Sequence, residues 1–291
     1  MSTRHHGASD VAIRHHYDAG NDFYRLWLDD TLTYSGALYA DADSEETLES
    51  AQLRKIDFHV EQARAQGARR VLDVGCGWGS VLKRLVEHHG VEQAVGLTLS
   101  KAQAEWIGAQ RHPGIEVRTE AWSDHEPDEP YDAIISLGAM EHFARPEVTT
   151  EEKIESYRAF FTRCHEWLRP GGRLSIQAIA YGNLKREDFA GSFIARDIFP
   201  ESEFVRLAEI AEASERRFEI LRVRNDRRDY ERTCAVWLEK LRANRDRAVE
   251  AAGEDLTARY ERYLDLCVRG WQLGATHLLR IGMVRIDHPR L

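Results

Sequence analysis

The chain has 291 residues, of which 43% are hydrophobic and 31% are charged, a balance typical of a globular enzyme and unlike that of a disordered chain. Its formal net charge of -9 gives no basic surface for nucleic acid, which we therefore do not expect as a substrate or partner. Because the four cysteines form no Cys-x-x-Cys pair and no apolar run reaches the roughly 18 residues of a membrane-spanning helix, we expect a cytoplasmic location, no metal site and at most peripheral membrane contact.

The N-terminal segment predicts short helices ahead of the first strand. Residues 11–30 alternate apolar and polar side chains at helical spacing, with a break at Gly20-Asn21. The run Ser44-Glu-Glu-Thr-Leu has a serine cap and an acidic first turn, and it predicts a helix that extends to about Gln66. Because this segment precedes the first strand, we expect residues 1–68 to lie over the mouth of a sheet as a helical lid.

The next stretch, Arg70-Val-Leu-Asp-Val-Gly-Cys-Gly-Trp-Gly-Ser80, combines a buried strand with a glycine-rich turn. The strand ends in Gly75, Gly77 and Gly79, and a helical pattern follows. The spacing lacks the Lys-Ser/Thr of a phosphate-binding loop and the longer dinucleotide fingerprint, so it favours a ligand without a pyrophosphate. S-adenosylmethionine is the leading candidate. The alternative is a turn that only packs a helix on a strand.

Strands and helices alternate beyond this turn. Apolar strands are predicted near residues 94–99, 116–120, 131–136 and 172–179, with helices over 100–110 and 152–168. This alternation predicts a parallel sheet with helices on both faces, and such sheets bind ligands at the carboxyl ends of their strands. The expected binding rim is formed by the glycine turn together with Thr98-Leu99, Ala121-Trp122 and Gly138–Glu141.

The alternation breaks over residues 181–216, which we interpret as an insertion over the same rim. Its apolar residues either line an acceptor channel or pack within the insertion, and they are Phe189, Phe193, Ile194, Ile198 and Phe199. A strand at 218–224, helices over 230–251 and 255–274, and a strand at 276–285 bring the number of strands to seven. We predict a single domain over residues 1–291, with a lid (1–68), a cofactor-binding core (69–180), the insertion (181–216) and C-terminal helices and strands (217–291).

Seven stretches carry a family resemblance, and together they are more specific than the glycine turn alone. They are His16-Tyr-Asp-Ala-Gly-Asn-Asp-Phe-Tyr, Thr33-Tyr-Ser, Leu72-Asp-Val-Gly-Cys-Gly-Trp-Gly, Gly96-Leu-Thr-Leu-Ser-Lys-Ala-Gln, Ser136-Leu-Gly-Ala-Met-Glu-His-Phe, Ile198-Phe-Pro and Tyr230-Glu-Arg-Thr-Cys-Ala-Val-Trp. These stretches resemble motifs of the cyclopropane-fatty-acid and mycolic-acid cyclopropane synthase family of S-adenosylmethionine-dependent methyltransferases, and they occur in the same order as in that family. The resemblance implies an α/β class I methyltransferase (Rossmann-like) fold with a mostly parallel sheet.

The resemblance also implies which residues surround the S-adenosylmethionine cofactor. The backbone of Gly75, Cys76, Gly77 and Gly79 would pass under the amino-acid and ribose portions, where a side chain would collide. Gln103 has both the donors and the acceptors that a ribose and adenine site needs. The remaining matching positions contact the nucleoside or close over the cofactor, and they are Tyr34, Ser35, Thr98, Leu99, Ala121, Trp122 and Gly138.

Glu141 is the residue that we expect to carry the chemistry. In the family the matching glutamate helps to hold a bicarbonate ion that serves as the base, and a carboxylate there can orient a base, act as one or stabilise positive charge. By the same resemblance the Tyr230 hydroxyl shares this network and Tyr17 borders the methyl group, although both tyrosines could instead pack in the core. Two positions depart from the family, because Gly36 replaces a cysteine and Gln177 replaces a histidine. Gln177 can donate a hydrogen bond but cannot relay a proton, so bicarbonate binding and ring closure are left open.

These features lead to one primary hypothesis and three alternatives. The primary hypothesis is a methyltransferase that C-methylates an apolar acceptor, either an unsaturated acyl chain or a specialised metabolite such as a polyketide or terpenoid. The alternatives are a cyclopropane fatty acid synthase, a small-molecule N-methyltransferase and a non-catalytic cofactor-binding protein. Weaker binding of the bicarbonate ion, as the changes at Gly36 and Gln177 indicate, favours methylation without ring closure. The sequence leaves open whether the acceptor is attached to a carrier and which oligomer forms.

Overall fold

A computed structural model of the chain describes Gly7 and residues 20–288. The strands in this part of the chain are β1 (Arg70–Val74), β2 (Gln93–Thr98), β3 (Ile115–Thr119), β4 (Tyr131–Leu137), β5 (Leu168–Tyr181), β6 (Phe218–Asn225) and β7 (Thr276–Arg285). They form one sheet in the order β3-β2-β1-β4-β5-β7-β6. Strands β1 to β5 pair in parallel, whereas β7 is antiparallel to both β5 and β6. The predicted mostly parallel sheet of seven strands is therefore confirmed.

Helices connect and flank the strands. They are α1 (Asn21–Arg25), α2 (Leu48–Ala63), α3 (Ser80–His88), α4 (Lys101–Ala109), α5 (Thr150–Trp167), α6 (Arg186–Ala190), α7 (Leu207–Ser214), α8 (Arg227–Ala243), α9 (Arg245–Ala252) and α10 (Glu254–Gln272). Short 3-10 turns cover Trp122–Asp124 and Met140–His142, and a π turn covers Ile194–Ile198. Within residues 20–288, no helix combines the length and the apolar character needed to span a lipid bilayer.

The turn between β1 and α3 depends on glycines with a left-handed backbone. Gly75, Gly77 and Gly79 have φ angles of 82°, 53° and 85°, which residues with a Cβ rarely adopt. The backbone N–H groups of Gly75 and Cys76 both donate to the Leu97 carbonyl, at 3.0 and 2.9 Å. These bonds fix the turn to the end of β2, at the carboxyl edge of the sheet.

Helix α2 begins later than the sequence pattern predicts. The predicted start at Ser44 is wrong, because Thr47 caps the helix and its hydroxyl accepts a hydrogen bond from the Ser50 N–H at 3.2 Å. The Ser44 hydroxyl instead donates to the Asp41 carbonyl in the preceding loop. The buried face of α2, which includes Lys55, packs against β5, β4 and β7.

The part of the N-terminal segment that the structure describes, from residue 20 onward, packs against the C-terminal helices. The Tyr24 and Tyr260 hydroxyls hydrogen bond to each other at 2.7 Å. The single helix predicted over 230–251 is wrong, because α8 and α9 are separated at Asn244, whose side-chain amide donates to the Leu26 carbonyl at 3.1 Å. Residues within 23–51 and residues within 230–278 therefore contribute to one hydrophobic cluster, which also includes Trp78 of the glycine turn.

The insertion after β5 is tied to the sheet by a backbone hydrogen bond and a buried ion cluster. The Glu203 N–H donates to the Glu141 carbonyl at 2.8 Å. The buried Lys153 Nζ lies 3.1 Å from Glu203 and 3.0 Å from Glu209, and Arg186 pairs with Glu203 at 3.1 Å. Because each buried charge has partners, this cluster holds the insertion beside the segment that follows β4.

Candidate functional site

Two adjoining cavities open at the carboxyl edge of the sheet. The first, which we call the glycine-turn pocket, has a volume of about 1070 Å³ including its open mouth. The second, which we call the aromatic chamber, has a volume of about 1300 Å³ on the same basis. Four residues line both cavities, and they are Tyr34, Ser35, Gly138 and His142. A molecule in the pocket can therefore meet a molecule in the chamber at this shared wall.

The glycine-turn pocket brings together nearly all of the residues predicted to hold a cofactor. Those that line it are Tyr34, Ser35, Gly75, Cys76, Gly77, Thr98, Leu99, Gln103, Ala121, Trp122 and Gly138. Gly79 does not line the pocket, and a Cβ there would lie 2.9 Å from Ile107, so this glycine lets helix α4 pack closely. A Cβ at Gly77 or Gly138 would meet no atom within 4 Å, which leaves space for a ligand against the backbone.

The pocket has both aromatic and hydrogen-bonding walls. Beyond β3 it is lined by the indole of Trp122, which is almost wholly buried. At the end of β2 the Thr98 hydroxyl donates to Gln103 Oε1 at 2.7 Å. Glu120 also lines the pocket, and its Oε1 lies 2.6 Å from Nδ1 of the buried His125. Glu120 was not predicted, because one acidic residue after a weak strand pattern gives no signal of its own.

Two buried charged side chains also line the pocket, and neither was predicted as a site residue. Asp73 is 1% exposed, and neither of its carboxylate oxygens has a hydrogen-bond partner. Lys55 of α2 is fully buried, and its Nζ donates to the Ser35 hydroxyl at 2.8 Å. Burial raises the pKa of Asp73 to about 7 and lowers the pKa of Lys55 to about 7. An acidic residue in an apolar strand and a lysine on the buried face of a helix were the available sequence signals.

Glu141 lines the aromatic chamber from the 3-10 turn that follows β4. Its Oε1 accepts a hydrogen bond from the Ile179 N–H at 2.6 Å, whereas its Oε2 is buried without a partner among the described residues. Burial raises the pKa of this carboxyl group to about 7, although the bond from Ile179 opposes the shift. A fixed carboxylate with one free oxygen and a pKa near neutrality can accept a proton from a bound molecule.

Gln177 lines the same chamber and is held by an arginine that the sequence pattern did not reveal. Its Oε1 accepts a hydrogen bond from Arg280 Nε at 2.9 Å. Arg280 is fully buried, forms an ion pair with Asp226 and donates to the carbonyls of Gly36 and Ala37, at 3.1 and 2.8 Å. Because the amide oxygen of Gln177 is engaged, its NH₂ group is the part of the amide that can donate elsewhere.

Close packing around position 36 explains why the residue there is a glycine. A Cβ on Gly36 would lie 2.7 Å from Leu278 Cδ2 and 2.9 Å from Tyr230 Cγ. The space of a side chain at position 36 is thus filled by Tyr230, whose ring stacks on Trp271 with centroids 4.6 Å apart. Tyr230 therefore has a packing role and also lines the chamber.

The rest of the chamber is mainly apolar. Besides Tyr34 and Tyr230, its aromatic and aliphatic lining residues are Ile179, Leu184, Phe189, Phe193, Ile194, Phe199, Phe204, Tyr263, Leu266, Trp271, Ala275 and Leu278. The two roles predicted as alternatives for the apolar residues of the insertion, lining a channel and packing within the insertion, both apply to Phe189. This residue lines the chamber and also packs on Phe204, with ring centroids 4.0 Å apart. His142 lies in the shared wall, its Nδ1 is 3.1 Å from the Ser202 hydroxyl, and burial lowers its pKa to about 4. This imidazole is therefore neutral near pH 7.

One predicted catalytic residue, Tyr17, lies outside the described residues. The three others, Glu141, Gln177 and Tyr230, meet in the aromatic chamber although they are far apart in the chain. Among residues 20–288 and Gly7, no cluster of three or more histidine, cysteine, aspartate or glutamate side chains could hold a metal ion.

The chain has close counterparts among known proteins. The model of the mycolic acid cyclopropane synthetase family matches residues 5–281. Cyclopropane mycolic acid synthase 1 of Mycobacterium tuberculosis is 33% identical over 279 residues, which cover 90% of this chain and 92% of that protein. Two solved structures each match with a TM-score of 0.84 and 30% identity over 96% of this chain and 99% of theirs: the cyclopropane synthase MmaA2 from Mycobacterium tuberculosis and the mycolic acid cyclopropane synthase CmaA1 complexed with SAH and CTAB. These matches confirm the predicted class I methyltransferase fold.

Proposed function

This chain belongs to the mycolic acid cyclopropane synthetase family, and we propose that it uses S-adenosylmethionine to methylate carbon in an apolar acceptor. The observation that carries this proposal is the shared wall between two cavities of different character. The glycine-turn pocket has buried charges and an open backbone cradle, whereas the aromatic chamber is mainly apolar and contains Glu141. Of the relatives, the CmaA1 structure contains SAH and the long-chain amphiphile CTAB.

The residues of the glycine-turn pocket fit S-adenosylmethionine. The missing side chain at Gly77 leaves the backbone open to the cofactor. The Asp73 carboxylate, whose oxygens have no hydrogen-bond partner in the described part of the chain, can accept hydrogen bonds from the cofactor ammonium group. Thr98 and Gln103 supply hydroxyl and amide groups for the ribose, and the Trp122 indole suits the adenine face. The ammonium group, the ribose and the adenine of the cofactor therefore each have a chemically matched group in the pocket.

The shared wall is where methyl transfer would occur. S-adenosylmethionine, when bound, supplies an activated methyl carbon. Tyr34, Ser35, Gly138 and His142 border both cavities and would align the acceptor with that carbon. The apolar lining of the chamber excludes water from an acceptor that gains positive charge as it is methylated.

Glu141 would accept the proton that the methylated acceptor must lose. Its Oε1 is held by the Ile179 N–H, so Oε2 has a fixed direction and no competing partner among the described residues. Direct proton acceptance by Glu141 removes the need for a bicarbonate ion. The two positions that depart from the family support proton acceptance without bicarbonate. Tyr230 fills the space that a side chain at position 36 would occupy, and Arg280 engages the Gln177 side-chain oxygen.

The second candidate function is cyclopropane synthesis, which the names of the relatives favour. The two reactions differ in which proton leaves after methylation of an alkene. Loss of a proton from the new methyl group closes a ring, and loss of one from the acceptor leaves a methylated alkene. The direction of Glu141 Oε2 relative to the acceptor would decide between them.

Isotope labelling tests the proposal. With S-adenosylmethionine that carries a CD₃ group, we expect product from an unsaturated acyl acceptor to retain the whole CD₃ group and the double bond, as measured by mass spectrometry and NMR. Oleic acid, an oleoyl thioester and dioleoyl phospholipid vesicles are the acceptor probes. Removal of dissolved CO₂ and bicarbonate is expected to change the rate by less than about twofold, because Glu141 accepts the proton directly.

A product that keeps only two deuterium atoms and lacks the double bond would instead identify a cyclopropane synthase. A rate that falls without bicarbonate and recovers on its addition would contradict the role of Glu141 as the direct base. If a small amine is added as a further acceptor probe, a labelled methyl group found only on its nitrogen would contradict carbon methylation.

The pKa of Glu141 predicts how the rate depends on pH. The carboxylate form is the active base, so kcat at saturating cofactor should rise with pH and level off above a pKa of about 7. Below that value the rate should fall about tenfold per pH unit, since one proton inactivates the base. Measurement of kcat between about pH 5.5 and 8.5 checks this expectation. A flat profile with chemistry shown to be rate-limiting would remove Glu141 from the proton transfer.

A further inference from the structure

We propose that the acceptor carries a neutral oxygen atom near the carbon that is methylated, and that the side-chain NH₂ group of Gln177 donates a hydrogen bond to this oxygen. The inference rests on the proposed carbon methylation and adds the chemical class of the acceptor. A hydroxyl, ether or ketone group on an otherwise apolar chain fits this description.

The orientation of the Gln177 amide is fixed by Arg280. Its Oε1 accepts a hydrogen bond from Arg280 Nε at 2.9 Å. The terminal nitrogens of this fully buried guanidinium are engaged by Asp226 and by the carbonyls of Gly36 and Ala37, so the arginine is held in place. Rotation of the amide by half a turn would set its NH₂ group against the guanidinium, where two donors would face each other. The NH₂ group therefore points away from Arg280.

The described residues leave at least one N–H of this NH₂ group without an acceptor. Gln177 is 1% exposed and lines the chamber, so water reaches it only through that cavity. The His59 imidazole lies beside the amide, and its Nδ1 is 2.7 Å from Ser175 Oγ, which leaves Nε2 to accept at most one of the two N–H groups. A buried N–H without a partner is costly, and a molecule in the chamber can supply the missing acceptor.

The Gln177 amide lies close to both partners of the proposed reaction. The Gly138 N–H donates to the Gln177 carbonyl at 2.8 Å, and Gly138 belongs to the shared wall where the methyl group would arrive. Glu141 is held by the Ile179 N–H, two residues farther along β5, which is a spacing of about 7 Å along the strand. An oxygen bound to Gln177 would thus lie near the carbon that is methylated and near the proton that Glu141 removes.

The charges around the chamber favour a neutral oxygen. Its charged lining residues in the described part of the chain are Glu141 and Asp188, and both are acidic. Arg280, which lies behind Gln177, is already paired with Asp226. A carboxylate or phosphate beside Gln177 would therefore be buried near like charge without a counterion of its own. A hydroxyl, ether or ketone oxygen avoids this cost and still accepts the hydrogen bond.

An oxygenated acceptor and a plain hydrocarbon acceptor should therefore react at different rates. A hydrocarbon that fills the chamber excludes water and leaves the Gln177 N–H unpaired. Sites that are built to hydrogen bond a substrate oxygen discriminate against analogues without it for this reason. Gln177 is thus a specificity-determining residue for the acceptor.

The experiment compares two acceptors that differ in one hydroxyl group. With saturating S-adenosylmethionine, kcat/KM is measured for an oleoyl thioester and for a ricinoleoyl thioester, whose hydroxyl lies on the second carbon from the same double bond. We expect the wild type to prefer the hydroxylated chain by about 10- to 100-fold, the range for one unpaired buried donor. Gln177→Met, which lacks the donor, should bring the two values to within about threefold of each other.

Two further variants complete the comparison. Thr276→Val is the matched control, because Thr276 is another polar residue of the chamber lining, and it should leave the preference for the hydroxylated chain unchanged. If Gln177→Met does not fold because Arg280 Nε loses its acceptor, Gln177→Glu carries the same test. The carboxylate keeps the bond to Arg280 and cannot donate to the acceptor.

The outcomes separate the acceptor class from the reaction itself. Equal kcat/KM for the two chains in the wild type would overturn the inference and leave carbon methylation intact. A preference that survives in the Gln177 variants, or that disappears in Thr276→Val, would assign the oxygen to another residue and would also overturn it. A labelled methyl group on the hydroxyl oxygen, or no methylation of either chain by protein that binds SAH, would instead contradict the proposed carbon methylation.

Discussion

Glu141→Gln is expected to lower kcat by about 10²- to 10⁴-fold, the usual range for the loss of a positioned general base. The glutamine keeps a carbonyl oxygen that can accept the Ile179 hydrogen bond at the same place, but its NH₂ group cannot take a proton from the methylated acceptor. The fold and the glycine-turn pocket are therefore preserved while the chemistry is removed. Single-turnover kinetics with the labelled cofactor measure this loss directly.

Two controls make this result specific to the proton transfer. The dissociation constant for SAH should change by less than about threefold, because Glu141 lines the chamber and does not line the pocket. The residual rate of Glu141→Gln should also lose the inflection near pH 7. A variant that retains the wild-type rate, or one that loses SAH binding to the same extent as its rate, would show that Glu141 does not act as the base.

Gly77→Leu is expected to weaken cofactor binding by at least about 100-fold, because a side chain would fill the space against the turn and each 1.4 kcal/mol of lost binding is about tenfold. A Cβ at Gly77 meets no protein atom within 4 Å, so the leucine would occupy the pocket and leave its neighbours in place. Calorimetry with SAH measures the loss. Turnover should fall to the same extent at subsaturating cofactor.

The matched control for this variant is Gly67→Leu. Gly67 has a φ of 67°, close to the 53° of Gly77, and a Cβ there also meets no atom within 4 Å. Both variants therefore carry a similar backbone strain of about 1–2 kcal/mol, but Gly67 is exposed and does not line the pocket. Equal loss of SAH affinity in both variants would attribute the effect to strain, which would contradict a cofactor cradle at Gly77.

The alternating strands and the glycine turn could be predicted because their causes are local. A run such as Val71, Leu72 and Val74 needs only its own apolar character to indicate a buried strand, and three glycines at alternate positions indicate a backbone that other residues rarely adopt. Helix boundaries were less accurate. The break at Asn244 depends on a hydrogen bond to Leu26, which no local pattern could indicate.

Site residues that lie within the family motifs could be predicted from the sequence. Buried charged residues that reach the site from outside those motifs were missed. Glu141, Gln177 and Tyr230 were chosen by resemblance, and they do line one chamber. Lys55 and Arg280 carry no motif, and each resembles an ordinary charged residue in the sequence. Their importance follows from complete burial beside the cavities.

Residue types and their local spacing specify the succession of strands and helices along the chain, the open backbone of the turn and the chemistry available at each position. Which of those groups come into contact depends on how the elements pack against one another. Register between β5 and β7 places Arg280 opposite Gln177, 103 residues away, and the packing of α2 on the sheet brings Lys55 to the pocket that contains Asp73. Such contacts arise from the burial of whole elements against one another, so no single stretch of the chain contains the information that specifies them.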